Sequence, residues 1–289
     1  MELIKEARQI QDRAESRRAN GTRLALVPTM GALHAGHLAL VREARRHADD
    51  VVVSIFVNPT QFGPHEDFSR YPRMLEDDLD LLRSEGVDAV FAPSVREMYP
   101  FGVPPATTVH VTNLDAALCG PHRPGHFEGV CTVVARLLLL VRPHVAVFGR
   151  KDAQQLVMIR RMVADLGFDV RVLAGETVRE KDGLALSSRN RYLSDDERAA
   201  AVCVPQALRA AERLILEGER NSGIIESSMR EEIAREPRAR LQYAEVVAAG
   251  DLKRMKEIEN GQEVIAALAV FFGKTRLIDN TFLSIPDAV

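Results

Sequence analysis

Two histidines three residues apart, in the loop His34-Ala35-Gly36-His37, are the side chains here best placed by type and spacing to do chemistry. A short apolar run at 24–27 and the turn Pro28-Thr29-Met30-Gly31 precede them, and a helix-like stretch at 38–47 follows. The order is strand, loop, helix. A helix N-terminus carries unsatisfied N–H groups and a partial positive charge, so it attracts anions. Gly31 and Gly36 remove side chains where a ligand would approach the backbone. On a first helical turn, positions three apart leave from one face. Two imidazoles, bare backbone and a helix dipole aimed at one point suit a nucleotide phosphate. The same spacing in a chain with 8 histidines also suits a metal, or chance.

Three further segments carry polar groups of the right kinds. Asn58-Pro59-Thr60-Gln61-Phe62 offers amides for a hydroxylated substrate, or is an Asn-Pro turn. Gly149-Arg150-Lys151-Asp152-Ala153-Gln154-Gln155 offers an ammonium for phosphate, or is a capped helix with solvated charges. Leu186-Ser187-Ser188-Arg189-Asn190 offers two hydroxyls and a guanidinium for pyrophosphate, or is an ordinary interdomain loop.

The elements that must position these groups alternate. Apolar β-rich runs at 24–27, 51–57, 89–92, 145–148 and 170–173 are separated by helical patterns at 38–47, 74–85, 129–141 and 152–166. That alternation predicts a parallel sheet with right-handed crossovers, and ligands bind beyond the carboxyl ends of such strands. The charged N-terminus, residues 1–18, reads as an amphipathic helix. The pattern changes near residue 176. Ser194-Asp195-Asp196-Glu197 reads as a capping box opening a helix that Pro205 should kink or break. Strands are expected at 242–247, 263–272 and 275–281, the last two joined by a hairpin turn at 272–275. The expected division is 1–176 for a nucleotide- and substrate-binding α/β domain and 177–289 for a small α+β domain.

Composition excludes several classes. The chain has 289 residues, is 46% hydrophobic and 27% charged, and has net charge -3, which is ordinary for a globular protein. Neither half carries a large excess of one charge, so no nucleic-acid partner is indicated. Cys119, Cys131 and Cys203 are too few and too scattered for a disulfide framework, which points to a reducing cytoplasm. No secretory signal is legible, and the longest apolar stretch, 137–141, cannot span a bilayer.

Taken together the segments resemble the pantoate–β-alanine ligase family. The matching stretches are Val27-Pro28-Thr29-Met30-Gly31-Ala32-Leu33-His34-Ala35-Gly36-His37, Phe56-Val57-Asn58-Pro59-Thr60-Gln61-Phe62, Pro124-Gly125-His126-Phe127-Glu128-Gly129-Val130, Phe148-Gly149-Arg150-Lys151-Asp152-Ala153-Gln154-Gln155 and Gly183-Leu184-Ala185-Leu186-Ser187-Ser188-Arg189-Asn190. The ending Gly273-Lys274-Thr275-Arg276-Leu277-Ile278-Asp279-Asn280 also fits. The His-x-Gly-His motif alone would place the chain only in the wider nucleotidylyltransferase superfamily. Departures are Arg150, often Glu or Gln in the family, His144 for a common Asp, and Pro205 in a plainer helix.

The resemblance implies a Rossmann-like α/β domain with a smaller C-terminal α+β domain that closes over the substrates, and a cytoplasmic homodimer. It implies ATP- and Mg²⁺-dependent condensation of (R)-pantoate with β-alanine through a pantoyl adenylate, releasing pyrophosphate and AMP. His37, His34, Lys151 and Arg189 would be catalytic. ATP would meet Met30, Gly31, Ala32, Leu33, His34, Ala35, Gly36 and His37, then Gly149, Arg150, Lys151, Asp152 and Val178, then Leu186, Ser187, Ser188 and Arg189. Gln61 and Gln155 would hold pantoate, Gln61 also β-alanine, and Asp77 the metal. Two rivals are a transferase of the same superfamily that makes no amide, and a nucleotide sensor without turnover. A class I synthetase is disfavoured by the lack of a basic anticodon-binding domain.

Overall fold

The computed structural model describes residues 1–64 and 66–286. His65 and residues 287–289, the end of the expected second domain, lie outside them. The chain divides into two compact units. The first holds Met1–Thr112, Arg123–Arg150 and Met158–Glu176; the second holds Asn113–His122, Lys151–Val157 and Thr177–Val289. Asn113–His122 and Lys151–Val157 thus group with the second unit, although they precede residue 176.

The first unit contains, in chain order, β1 (Glu2–Ile4), α1 (Ala7–Ala19), β2 (Leu24–Thr29), α2 (Ala35–Arg45), β3 (Asp50–Ile55), α3 (Leu75–Ser84), β4 (Ala89–Phe91), α4 (Val95–Met98), α5 (His126–Val141) and β5 (Val145–Gly149). The chain continues through α6 (Ala153–Asp165), whose last turns are in this unit, to β6 (Arg171–Gly175). The six strands form a parallel sheet in the order β1-β4-β3-β2-β5-β6. This is the Rossmann-like sheet expected from the alternation. β2 pairs with β3 on one side and β5 on the other, so the order reverses there, and ligands bind at such switch points. The loops after β2, β3 and β5 leave the same edge because the strands are parallel.

The N-terminal expectation needs correction. Residues 1–18 are not one helix: Glu2–Ile4 pairs in parallel with β4, Glu2 opposite Ala89, before α1 begins at Ala7. A strand of three residues carries too little alternation to register as one, and its partner lies 87 residues away.

α2 forms because its buried stripe, Leu40, Val41 and Ala44, repeats at helical spacing. It packs on Ala25, Val27, Val51, Val53, Val145 and Val147 of the sheet. Burying each Leu or Val there contributes about 1.5–3 kcal/mol. Gly175 lets this helix approach β6, since a Cβ there would lie 2.2 Å from Leu40 Cδ2. α5 is apolar nearly all round and accordingly buried. It starts after Gly125 at φ +76° and stops at Arg142, which adopts φ +45°.

The second unit contains the last three helices, α7 (Asp195–Ala200), α8 (Cys203–Leu216) and α9 (Ser222–Ala234), and the antiparallel sheet β7 (Ala239–Ala248), β8 (Glu263–Phe272) and β9 (Thr275–Ser284). The capping box is formed: the Glu197 N–H donates to Ser194 Oγ at 3.3 Å, and the Ser194 N–H to Glu197 Oε2 at 2.9 Å. The helix breaks at residues 201–202, just upstream of Pro205, which sits in the first turn of α8. A first-turn proline costs no intrahelical hydrogen bond, so the chain breaks where proline becomes harmless. Phe272 faces Thr275 across the expected β8–β9 hairpin.

Candidate active site

In the first unit, the loop after β2 is held from below by one carboxylate. Asp78, on α3 and 2% exposed, accepts the Ala32 N–H at 2.9 Å and the Leu33 N–H at 2.7 Å. Thr29 Oγ1 donates to the Ser54 carbonyl at 2.8 Å and accepts the Gly31 N–H at 3.2 Å. Gly31 sits at φ +78°, and a Cβ there would lie 2.8 Å from Asp78 Oδ2. Ala32 adopts φ +52° although it has a side chain, a conformation that persists only where its surroundings impose it.

The histidines close the loop onto α2. The Gly36 N–H donates to His34 Nδ1 at 3.1 Å, and the His34 N–H to His37 Nδ1 at 3.3 Å. His34 is thus the N-cap of α2, and the rings lie 4.1 Å apart, tilted by 41°. An imidazole nitrogen that accepts carries no proton, so each neutral ring bears its proton on Nε2. Both rings are thereby hydrogen-bond donors through Nε2. The loop amides expected to cradle phosphate are largely committed inside the protein: Gly31 to Thr29, Ala32 and Leu33 to Asp78, and Gly36 to His34.

The loop after β3 is anchored by Asn58, 1% exposed. Its Nδ2 donates to the Gly129 carbonyl and to Gln61 Oε1, both at 3.1 Å, and its Oδ1 accepts from Tyr99 Oη at 2.8 Å. Burial raises the Tyr99 pKa above its ordinary value, keeping the hydroxyl a donor. Gln61 Nε2 points at Met30 Sδ, 3.1 Å away. The Gln61 carbonyl accepts from His126 Nδ1 at 2.7 Å. Arg123 Nη1 lies 2.9 Å from His126 Nε2, and Arg123 Nε donates to Glu66 Oε1 at 2.7 Å. Burial alone would raise the Glu66 pKa, but the Arg123 guanidinium outweighs it and the net shift is downward. Gly129 allows α5 to pass this loop, because a Cβ would lie 2.4 Å from the Thr60 carbonyl oxygen.

In the second unit, Lys151 and Asp152 lie in a 3-10 turn leading into α6. Gln154 is buried there; its Nε2 donates to the Leu114 and Ala117 carbonyls at 2.7 and 2.9 Å, and its Oε1 accepts the Cys119 N–H at 2.9 Å. Gln155 is half-buried. Val178 and Leu186 form a rung of a small hairpin, the Leu186 N–H donating to the Val178 carbonyl at 3.0 Å. Ser187 caps the turn Ser188–Tyr192 by accepting the Arg189 N–H at 3.3 Å.

A family model described as Pantoate-beta-alanine ligase matches residues 2–282. The chain belongs to the pantoate–β-alanine ligase family. It is accordingly an enzyme, a ligase joining pantoate to β-alanine. The ligase is 54% identical to the pantothenate synthetase of Salinibacter ruber, over 100% of this chain and 99% of that one. It is 49% identical to that of Moorella thermoacetica, over 99% of this chain and 100% of that one. Its fold matches the crystal structure of pantothenate synthetase from Thermus thermophilus with a TM-score of 0.89 and 46% identity, over 97% of this chain and 99% of that one. It also matches pantoate–β-alanine ligase from Francisella tularensis, solved with β-γ ATP and β-alanine, with a TM-score of 0.76 and 32% identity over 97% of each chain.

The expected site residues of the ligase fall into two sets. Met30, Gly31, Ala32, Leu33, His34, Ala35, Gly36, His37, Gln61, Asp77, Gly149 and Arg150 are in the first unit; Lys151, Asp152, Gln155, Val178, Leu186, Ser187, Ser188 and Arg189 are in the second. The Ala32 and Leu33 side chains are buried. Arg150 Nε lies 3.4 Å from exposed Glu176, a pair of small energetic weight. Asp77 is exposed on the first turn of α3. Sequence reasoning gives Asp78 and His126 no role of their own, and offers Asn58 as a substrate amide where the structure buries it as an anchor. Asp78 does leave a signal: Leu75, Asp78, Leu79 and Leu82 follow the 0, 3, 4, 7 spacing of a buried helix face, with a carboxylate inside an apolar stripe. The Asn-Pro turn is legible for Asn58, whose Oδ1 accepts the Thr60 N–H at 3.3 Å, but its partners on α5 and at residue 99 leave no mark in the sequence.

Proposed function

We propose that this ligase works in two steps and that ATP drives the first. A carboxylate is a poor acylating agent because oxide would have to leave. Pantoate's carboxylate oxygen attacks the α-phosphorus of ATP, that P–O bond forms, and pyrophosphate leaves. The β-alanine amine then attacks the acyl carbon of the pantoyl adenylate, loses a proton and expels AMP, giving the amide. Charge gathers on phosphate oxygens in the first step, so catalysis is mostly positioning and counter-charge.

The single observation carrying this reading is the paired-histidine geometry in a chain of this family. With both Nδ1 atoms accepting backbone N–H groups, the two Nε2–H groups are preorganised donors for phosphate oxygens. Because the loop amides are engaged, these imidazoles rather than the backbone take the larger share of that contact. His37 is the proton donor or strongest stabiliser. Lys151 and Arg189 add fixed positive charge, and Ser187 and Ser188 add hydroxyl donors. Met30, Gly149, Arg150, Asp152, Val178 and Leu186 frame the nucleotide. Gln61 holds pantoate and β-alanine, supported by its anchoring through Asn58, His126 and Arg123. Gln155 holds pantoate.

Mg²⁺ fits the residues present only as an ion that travels with the phosphates. Among the described residues no cluster of three or more His, Cys, Asp or Glu is arranged to hold a metal. Mg²⁺ characteristically takes one or two carboxylates plus substrate phosphates, and Asp77 is the carboxylate we assign to it. When bound it would neutralise phosphate charge. We also propose a homodimer, because exposed Phe101 and Val103 share one short segment. A cytoplasmic location is supported by three free cysteines. Among the described residues no helix is long and apolar enough to cross a membrane.

ATP–pyrophosphate exchange tests the reading. Exchange should require pantoate and not β-alanine, while AMP release requires both. Exchange that is independent of pantoate would overturn the order of steps.

A further inference from the structure

Within the second unit, β9 carries two consecutive buried polar residues, Asp279 at 2% exposure and Asn280 at 6%. Successive side chains on a strand point to opposite faces, so the two serve different neighbours. Buried polar groups are costly unless hydrogen-bonded, so those neighbours matter. Asp279 faces Arg179: Nη1 lies 2.6 Å from Oδ2 and Nη2 3.1 Å from Oδ1. The same guanidinium donates to the Gly183 carbonyl at 2.9 Å and the Asn280 carbonyl at 3.3 Å. Arg179 thus clamps the hairpin that leads into Ser187, Ser188 and Arg189 onto β9. Asn280 Nδ2 donates to the Lys151 carbonyl at 2.7 Å. The turn Ser188–Tyr192 packs on the same strand.

We propose that Asp279 and Asn280 are positioning residues, which fix Lys151 and the 178–189 segment to one rigid strand so that their cationic groups keep a constant spacing. The proposal rests on the reading of Lys151, Ser187, Ser188 and Arg189 as phosphate-directed groups. Lys151 and Arg189 are 38 positions apart in sequence, and neither local segment could set their separation alone. An antiparallel strand paired along its whole length with β8 can. Neither Asp279 nor Asn280 is assigned a substrate contact; each acts through the group it holds.

The test is a double-mutant cycle on the full-length enzyme, read by pantoate-dependent ATP–pyrophosphate exchange with melting temperature recorded alongside. Asn280→Ala should lower exchange about 10- to 100-fold, the scale of a misplaced catalytic group. On a Lys151→Ala background it should lower exchange no further, which a merely structural role would not produce. Losses that multiply in the double variant overturn the proposal, as does wild-type exchange by Asn280→Ala beside a severely impaired Lys151→Ala. Wild-type exchange by Lys151→Ala itself instead removes the reading of Lys151, and the proposal with it. If Asn280→Ala melts early, Asn280→Leu keeps the branched shape, adds no charge and removes the donor to Lys151, and must show the same pattern. For Asp279→Asn, amide hydrogen exchange across residues 178–189 should quicken; unchanged protection overturns that half.

Discussion

Replacing Asp78 should damage chemistry at His34 and His37, through the loop that carries them. The carboxylate lies inside the apolar face of α3 and accepts two N–H groups from the loop that carries His34 and His37. Asp78→Asn keeps the shape but turns one acceptor into an NH2 group, so one of the two loop amides faces a donor. The loss of a hydrogen bond to a charged group costs about 1.5–3 kcal/mol. Asp78→Ala leaves both buried amides unsatisfied, at about 1–3 kcal/mol each. A change of about 1 kcal/mol moves the melting point of a large domain by about 2–4 °C. Asp78→Asn should therefore melt ~3–12 °C lower, with Asp78→Ala at least as low. Where the protein is still folded, displacement of the histidine loop by about 1 Å should slow pantoate-dependent exchange up to ~100-fold. Calorimetry and the exchange assay on the same preparation read both quantities. An Asn variant that melts with the wild type and exchanges within about twofold of it would refute the claim that Asp78 holds the loop.

His37→Ala and Lys151→Ala should each reduce adenylation about 10²- to 10³-fold, the effect of one oriented electrostatic donor; near-wild-type single-turnover rates would remove the assigned roles. Gly129→Ala should destabilise the protein and weaken pantoate use together, since its Cβ would meet the Thr60 carbonyl at 2.4 Å and push the loop bearing Gln61; unchanged pantoate kinetics in the folded variant would show that the loop yields freely. Burial first, then Arg18 and Arg23, hold the His144 pKa below its ordinary value of about 6.5. As pH falls through that ordinary value the unfolded chain takes the proton before the folded one, so stability is lost from there down to the lowered folded value. His144→Asn should reduce the loss in urea midpoint between about pH 7.5 and 5.5, and an unaltered loss would mean that His144 does not contribute.

Local chemistry was legible in the sequence wherever it repeats or caps. The apolar runs read as strands because buried parallel strands are apolar on both faces; β3, Asp50–Ile55, is the clear case. Ser194 and Glu197 announced their capping box, and Pro205 a break, which falls just upstream so that the proline sits in a first turn where its missing N–H does no harm. The histidine pair was visible as a motif, but the proton's place on Nε2 was not. That depends on which backbone N–H each Nδ1 meets, and so on the fold of the loop. The roles of Asp78, Asn58, His126, Asp279 and Asn280 came only with tertiary structure, although Asp78 interrupts a legible apolar stripe and the others stand in legible motifs. Each exerts its effect on a residue distant in sequence, and buried polar groups are satisfied by whatever the folded chain brings near. Sequence carries the period of an element and the type of its side chains; the partner that fixes a side chain's role is set only when separate elements pack.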